Sequence, residues 1–97
     1  MTTPDFDRSV RAPDHVLVRE LGGESLLLNL ESETYFGLDE VGTRMWTQLV
    51  DSSSIEQALV ALRKEYGVEE DVLRHDLAAL LAQLLDHGLL VVVDAPT

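Results

Sequence analysis

Ninety-seven residues suffice for one modest core and are too few for two. Eighteen acids against seven Lys and Arg leave a net charge of −11, which favours solubility and repels phosphate, setting the chain against nucleic acid as a partner. With no cysteine, it can form no disulfide, thiolate metal site or thiol nucleophile.

Residues 1–14 are polar, with prolines at positions 4 and 13, and read as a flexible N-terminal arm without the apolar stretch of a signal peptide. His15–Leu21 and Ser25–Leu30 are β-rich runs separated by Gly22-Gly23, a hairpin signal. In the second run Leu26, Leu28 and Leu30 share one face, and Leu27 and Asn29 share the other. Glu31-Ser32-Glu33 turns the chain into a short strand, Thr34–Leu38, interrupted by Gly37. Three strands this close together make an antiparallel meander. The last has no partner in the sequence after it, so its edge offers a row of backbone donors and acceptors to an incoming peptide.

The remainder is helical. Asp39 caps a helix to about Val50 that buries Val41, Met45, Trp46 and Leu49. Ser54, with Gln57 three residues on, starts a second helix that buries Ile55, Leu59 and Leu62 and stops at Gly67. A third runs from about Glu69 to His87, with Gly88 after it. Along it Leu73, Leu77, Leu80 and Leu84 form one stripe, and Arg74, Ala78, Leu81 and Leu85 a second. Together they exceed the roughly 100° that faces a single core. Either alanine is there as the best helix former, or the second stripe is a shallow notch for a guest side chain. Leu89–Val93 is a last short strand, far too short to span a bilayer, and residues 94–97 are a tail. The chain reads as cytoplasmic and free of membrane.

No constellation of catalytic or metal-ligating residues emerges. His15, His75 and His87 lack ligand spacing, and no serine sits in a strand–turn–helix elbow. Gly22-Gly23 is a hairpin turn rather than a phosphate loop. Trp46 reads as core. Tyr35 and Phe36 point to opposite faces of their strand, one toward the core and the other toward a guest or its enzyme. Arg74, near the start of a helix where a cation is disfavoured, pairs with Glu70, with Asp71 or with an acid of the guest. The expected function is binding, not catalysis, and no cofactor is called for.

The order strand–Gly-Gly–strand–strand–helix–helix–helix has Tyr-Phe-Gly-Leu-Asp-Glu-Val-Gly-Thr-Arg-Met-Trp (35–46) at the strand-to-helix join. It closes on Asp-Leu-Ala-Ala-Leu-Leu-Ala-Gln-Leu-Leu-Asp-His-Gly-Leu-Leu (76–90). Over residues 15–93 this resembles the PqqD-like family, the recognition elements of ribosomally made, modified peptides. The resemblance implies an α+β, winged helix-turn-helix-like domain: a three-stranded antiparallel sheet packed on three α-helices. It implies that the leader of a precursor peptide adds as a strand beside the third strand, facing the third helix. The implied contact residues are Glu33, Thr34, Tyr35, Phe36 and Gly37 on the strand, with Arg74, Ala78 and Leu81 on the helix.

The developed Tyr-Phe-Gly-Leu strand is closer to the standalone recognition proteins of lasso-peptide and other radical-enzyme pathways than to the quinone-cofactor branch. A separate processing enzyme, either a leader peptidase or a radical iron–sulfur enzyme, is then the second partner. Filling the notch with Ala78→Trp is expected to abolish binding. The competing readings are a winged-helix transcription regulator, which needs a more basic helix than Ile55–Tyr66, and a structural subunit of an enzyme complex. An exposed edge also admits a homodimer.

Overall fold

The computed structural model describes residues 4–93, so the expected tail at 94–97 and the first three residues of the expected arm lie outside the described residues. The elements run β1 (Ser9–Arg11), β2 (Val16–Leu21), β3 (Glu24–Asn29), β4 (Thr34–Leu38), α1 (Glu40–Asp51), α2 (Ile55–Tyr66), α3 (Glu70–Asp86) and β5 (Val91–Val93). Gly22 and Gly23, with φ of +62° and +88°, form the two-residue turn that only residues tolerant of positive φ can make. That turn sets the antiparallel register of β2 on β3, and β4 returns along the other side of β3, giving the order β2-β3-β4. The expected three-stranded sheet and three helices are present.

Alternation divides the sheet into two faces. Ser25, Leu27 and Asn29 of β3 turn inward and are buried, while Leu26 and Leu28 face outward. The leucine-rich face of this strand is therefore not the core face. The inward face suits its neighbours instead: the Ser25 hydroxyl shares a 2.8 Å hydrogen bond with Thr43 of α1, and Leu27 sits in the apolar centre.

The helix starts follow local chemistry. Asp39 Oδ1 accepts from the Gly42 N–H at 2.8 Å, and Ser54 Oγ accepts from the Gln57 N–H at 3.1 Å. α1 buries Met45, Trp46 and Leu49, but Val41, expected in the core, is exposed in its first turn. Gly67 (φ +65°) ends α2 in the left-handed conformation, and Gly88 (φ +69°) reverses the chain after α3.

Two expectations are corrected. Residues 9–11 are not part of a loose arm: β1 pairs antiparallel with β5, Ser9 opposite Val93 and Arg11 opposite Val91, as a ribbon separate from the main sheet. Val10 is buried, and the carbonyls of Phe6 and Arg8 accept from the Glu56 and Ile55 N–H groups. The arm thus satisfies first-turn donors of α2 that have no partner within the helix. Leu89 and Leu90, read as strand, are instead buried core residues leading into β5.

The second correction concerns helical phase. The core stripe of α3 is Leu73, Leu77, Leu81 and Leu84. Leu81 has no exposed surface, and Leu80 is only half-buried. Spacings of four, four and three follow the 3.6-residue period as well as the expected stripe does, and packing against the other elements selects Leu81.

Candidate functional site

Backbone polarity along β4 follows from one hydrogen bond. The Leu30 N–H donates to the His15 carbonyl at 2.9 Å, and these residues lie opposite each other one step beyond the Val16–Asn29 pair. In an antiparallel ladder hydrogen-bonded and non-hydrogen-bonded pairs alternate. The groups of Ser25, Leu27 and Asn29 therefore point to β4, where their partners are Leu38, Phe36 and Thr34. Tyr35 and Gly37 are left with N–H and C=O groups directed away from the sheet. They form the open edge.

Side chains on β4 alternate across that edge. Phe36 turns inward and packs against the core, while Tyr35 turns outward and is 72% exposed. This resolves which of the two aromatics faces in. Glu33, expected to begin the binding strand, has φ +59° and belongs to the preceding turn, so it does not continue the ladder. Asn29 organises that turn, its Oδ1 accepting from the Glu31 and Ser32 N–H groups at 3.0 and 3.3 Å.

The end of α3 comes up to β4 from beneath. The Phe36 and His87 rings meet edge to face with centroids 5.3 Å apart. His87 Nδ1 lies 2.8 Å from the Gln83 carbonyl, and the His87 carbonyl accepts from Asn29 Nδ2 at 3.0 Å. One buried amide thus ties the β3–β4 turn to the helix terminus.

At about 100° per residue, Leu80, Gln83 and His87 lie on one side of the α3 core stripe, and Arg74, Ala78 and Leu85 on the other. The His87 side reaches β4. The Arg74 side meets α2 and the N-terminal segment: Arg74 Nη2 donates to both carboxylate oxygens of Glu56 at 3.1 Å and lies 3.5 Å from Glu70, and the guanidinium carbon sits 4.9 Å from the centre of the Phe6 ring. Of the expected contact residues, the structure therefore groups Thr34, Tyr35, Phe36 and Gly37 on β4. It places Arg74 and half-buried Ala78 on the flank away from the Phe36–His87 contact, and Leu81 inside the core. His87, Leu80 and Gln83, which the sequence reading does not name as contacts, lie on the side of α3 that reaches β4. The Phe36–His87 contact, which joins residues far apart in the chain, leaves no local signal.

Among the described residues, the outer face of the sheet is a second surface without a partner. Leu17, Leu28 and Tyr35 form one cross-strand rung, and Arg19, Leu26 and Gly37 the next. Leu21, at 81% exposure, and Leu17 and Leu26 are open to solvent. Contiguous apolar exposure of this kind marks interaction surfaces. No helix among the described residues is long and apolar enough to cross a membrane.

The family model of coenzyme PQQ synthesis protein D (PqqD) matches residues 24–90. No curated protein sequence matches the chain. Among solved structures it is similar to TbiB1 in complex with the TbiA(beta) leader peptide, at 35% identity and a TM-score of 0.77 over 82% of this chain and 93% of that one. It is also similar to lasso peptide synthetase B1 complexed with the leader peptide, at 25% identity and a TM-score of 0.75 over 86% and 98%.

Proposed function

The chain belongs to the PqqD family, and on that footing we infer that it is a noncatalytic recognition element that captures the leader of a ribosomally made precursor by strand addition to β4. The observation that carries this reading is the outward pair of backbone donors and acceptors at Tyr35 and Gly37, beside the edge-to-face contact of Phe36 with His87. An added strand satisfies up to about four of those groups, each worth a net ~0.5–1.5 kcal/mol. One apolar guest side chain, pointing inward at the level of Phe36 toward Leu80 and Gln83, adds roughly 1.5–3 kcal/mol. Ordering the leader costs about 2–5 kcal/mol. The inward anchor therefore decides whether binding reaches a useful strength.

Likeness to lasso peptide synthetase B1 favours the lasso branch, in which a leader peptidase is the separate processing enzyme. The apolar outer face of the sheet is the surface left for that enzyme once β4 is occupied. The regulator reading finds little support in α2, where Arg63 is paired with Glu70 across a 3.3 Å hydrogen bond.

Fluorescence-polarisation titration of the leader encoded beside this chain tests the proposal. Saturable binding by the wild type, reduced roughly tenfold or more in Tyr35→Pro but not in Tyr35→Ala, supports strand addition. Proline removes an outward N–H that β3 does not use, so the sheet survives. Equal binding by both variants overturns it.

A further inference from the structure

The start of β4 and the end of α3 are joined through one buried side chain. We propose that Asn29 is a positioning residue for peptide binding: without touching the peptide, its amide fixes those two elements relative to each other. The role rests on the strand-addition reading above, in which the peptide lies along β4 and over the His87 side of α3.

Asparagine is an unexpected choice here. Asn29 ends β3 on the inward face, after Ser25 and Leu27, and is only 5% exposed. Asparagine is depleted in strands, and a buried amide costs free energy unless its hydrogen bonds are made. These are made, and to two separate elements. Oδ1 accepts from the Glu31 and Ser32 N–H groups, which uses both of its lone pairs. Nδ2 donates to the His87 carbonyl at 3.0 Å. A backbone N–H only donates and a carbonyl only accepts, so these partners permit one orientation of the amide.

Each bond leads to the open edge. On one side the Ser32 hydroxyl lies 2.7 Å from that of Thr34, the first residue of β4 and the cross-strand partner of Asn29. Tyr35, which carries the first outward backbone pair, comes next. On the other side His87 bears the ring that meets Phe36, and its Nδ1 lies 2.8 Å from the Gln83 carbonyl. Few side chains of this size serve both ends. Aspartate has the acceptors and no donor, leucine has neither, and serine is too short to span turn and helix. A turn and a helix end already held in place need no ordering by the peptide, and preorganisation of this kind raises affinity.

The test uses the full chain and the leader of the precursor encoded beside it, titrated by fluorescence polarisation from neutral pH to mild acid. Asn29→Asp keeps the acceptors but sets a carboxylate against the His87 carbonyl, and is expected to weaken binding about tenfold at neutral pH. Burial and the negative end of α3 raise the pKa of that carboxyl, and once protonated its O–H donates where Nδ2 did. Affinity should then return toward wild type in mild acid, in step with protonation of the new carboxyl followed by NMR. The titratable groups around the amide are His15 beside Val16, Glu31 in the turn, and Asp86 and His87 at the end of α3. They are common to both proteins, so affinity is read as the ratio to wild type at each pH. Asn29→Ser, uncharged and short, should lose about tenfold at every pH. Circular dichroism establishes folding, and in a folded protein a merely structural asparagine leaves peptide affinity unchanged. Wild-type affinity in either folded variant at neutral pH overturns the role of Asn29 and leaves strand addition standing. An Asn29→Asp deficit that persists after the carboxyl protonates does the same. Where Asn29→Asp does not fold, the affinity of Asn29→Ser decides. Absence of any binding by the wild type removes both readings.

Discussion

Phe36 and His87 meet edge to face, at 5.3 Å between centroids and 65° between planes, joining the inward side of β4 to the residue that caps the C-terminus of α3. On the proposed strand addition, the contact sets which flank of the helix faces a peptide on β4. That flank carries Leu80 and Gln83, because both share the His87 side of the core stripe.

Gln83→Trp is accordingly expected to weaken leader binding by roughly tenfold or more, whereas Ala78→Trp leaves it unchanged in a folded protein. This reverses what the sequence suggests for Ala78. Polarisation titrations of the two variants, with circular dichroism to establish folding, decide it. Loss of binding in Ala78→Trp alone would return the site to the Arg74 flank.

Gly88→Ala is expected to cost at least about 1–2 kcal/mol, the penalty of a side chain in the left-handed region. It should cost more than Gly67→Ala. Both glycines have similar φ, +69° and +65°, but a Cβ at Gly88 lies 3.0 Å from Asn29 Nδ2 whereas one at Gly67 meets nothing within 4 Å. Urea denaturation of both measures the difference, which reports the Asn29 link between the β3–β4 turn and α3. Equal losses would mean that the amide simply moves aside.

Acid should weaken the clasp between α1 and α2. Arg44 Nε and Nη2 donate to the two Glu65 oxygens at 3.0 and 2.9 Å. Chiefly through hydrogen bonding to Arg44, the Glu65 carboxyl is held below the usual carboxylate range. A lowered folded-state value contributes stability above the unfolded pKa, and that stability is lost as pH falls through the folded value. Wild type should therefore exceed Glu65→Gln in urea midpoint at neutral pH, and the two should converge in strong acid. The groups are solvent-screened, so the gap is small. A gap that persists at low pH would assign the effect to packing.

The elements were legible where their causes are local. Gly22-Gly23, the Asp39 and Ser54 caps, and Gly67 and Gly88 each act within a few residues, and each lies where the sequence places it. The β4 edge was legible for the same reason, since no strand-forming run follows it at once. Two kinds of feature were not. A strand over Val91–Val93 was expected, but its pairing with Ser9–Arg11 joins distant parts of the chain, and nothing near Ser9–Arg11 announces a strand. The phase of α3 was also ambiguous, because Leu80 and Leu81 both continue an apolar stripe. Only packing shows that Leu81 goes inside and that Arg74 is engaged by Glu56 and Phe6. That one-residue ambiguity is what moved Leu81 from the expected notch into the core.

The β1–β5 ribbon has a mechanical consequence. Ser9 and Val93 are cross-strand neighbours, so the first residue of β1 and the last of β5 lie at the same end of one ribbon. Tension applied between those two residues would peel β1 from β5 one pair at a time rather than shear them together. The ribbon is separate from the sheet that holds β4. It can open like a zipper while the edge at Tyr35 and Gly37 stays in register.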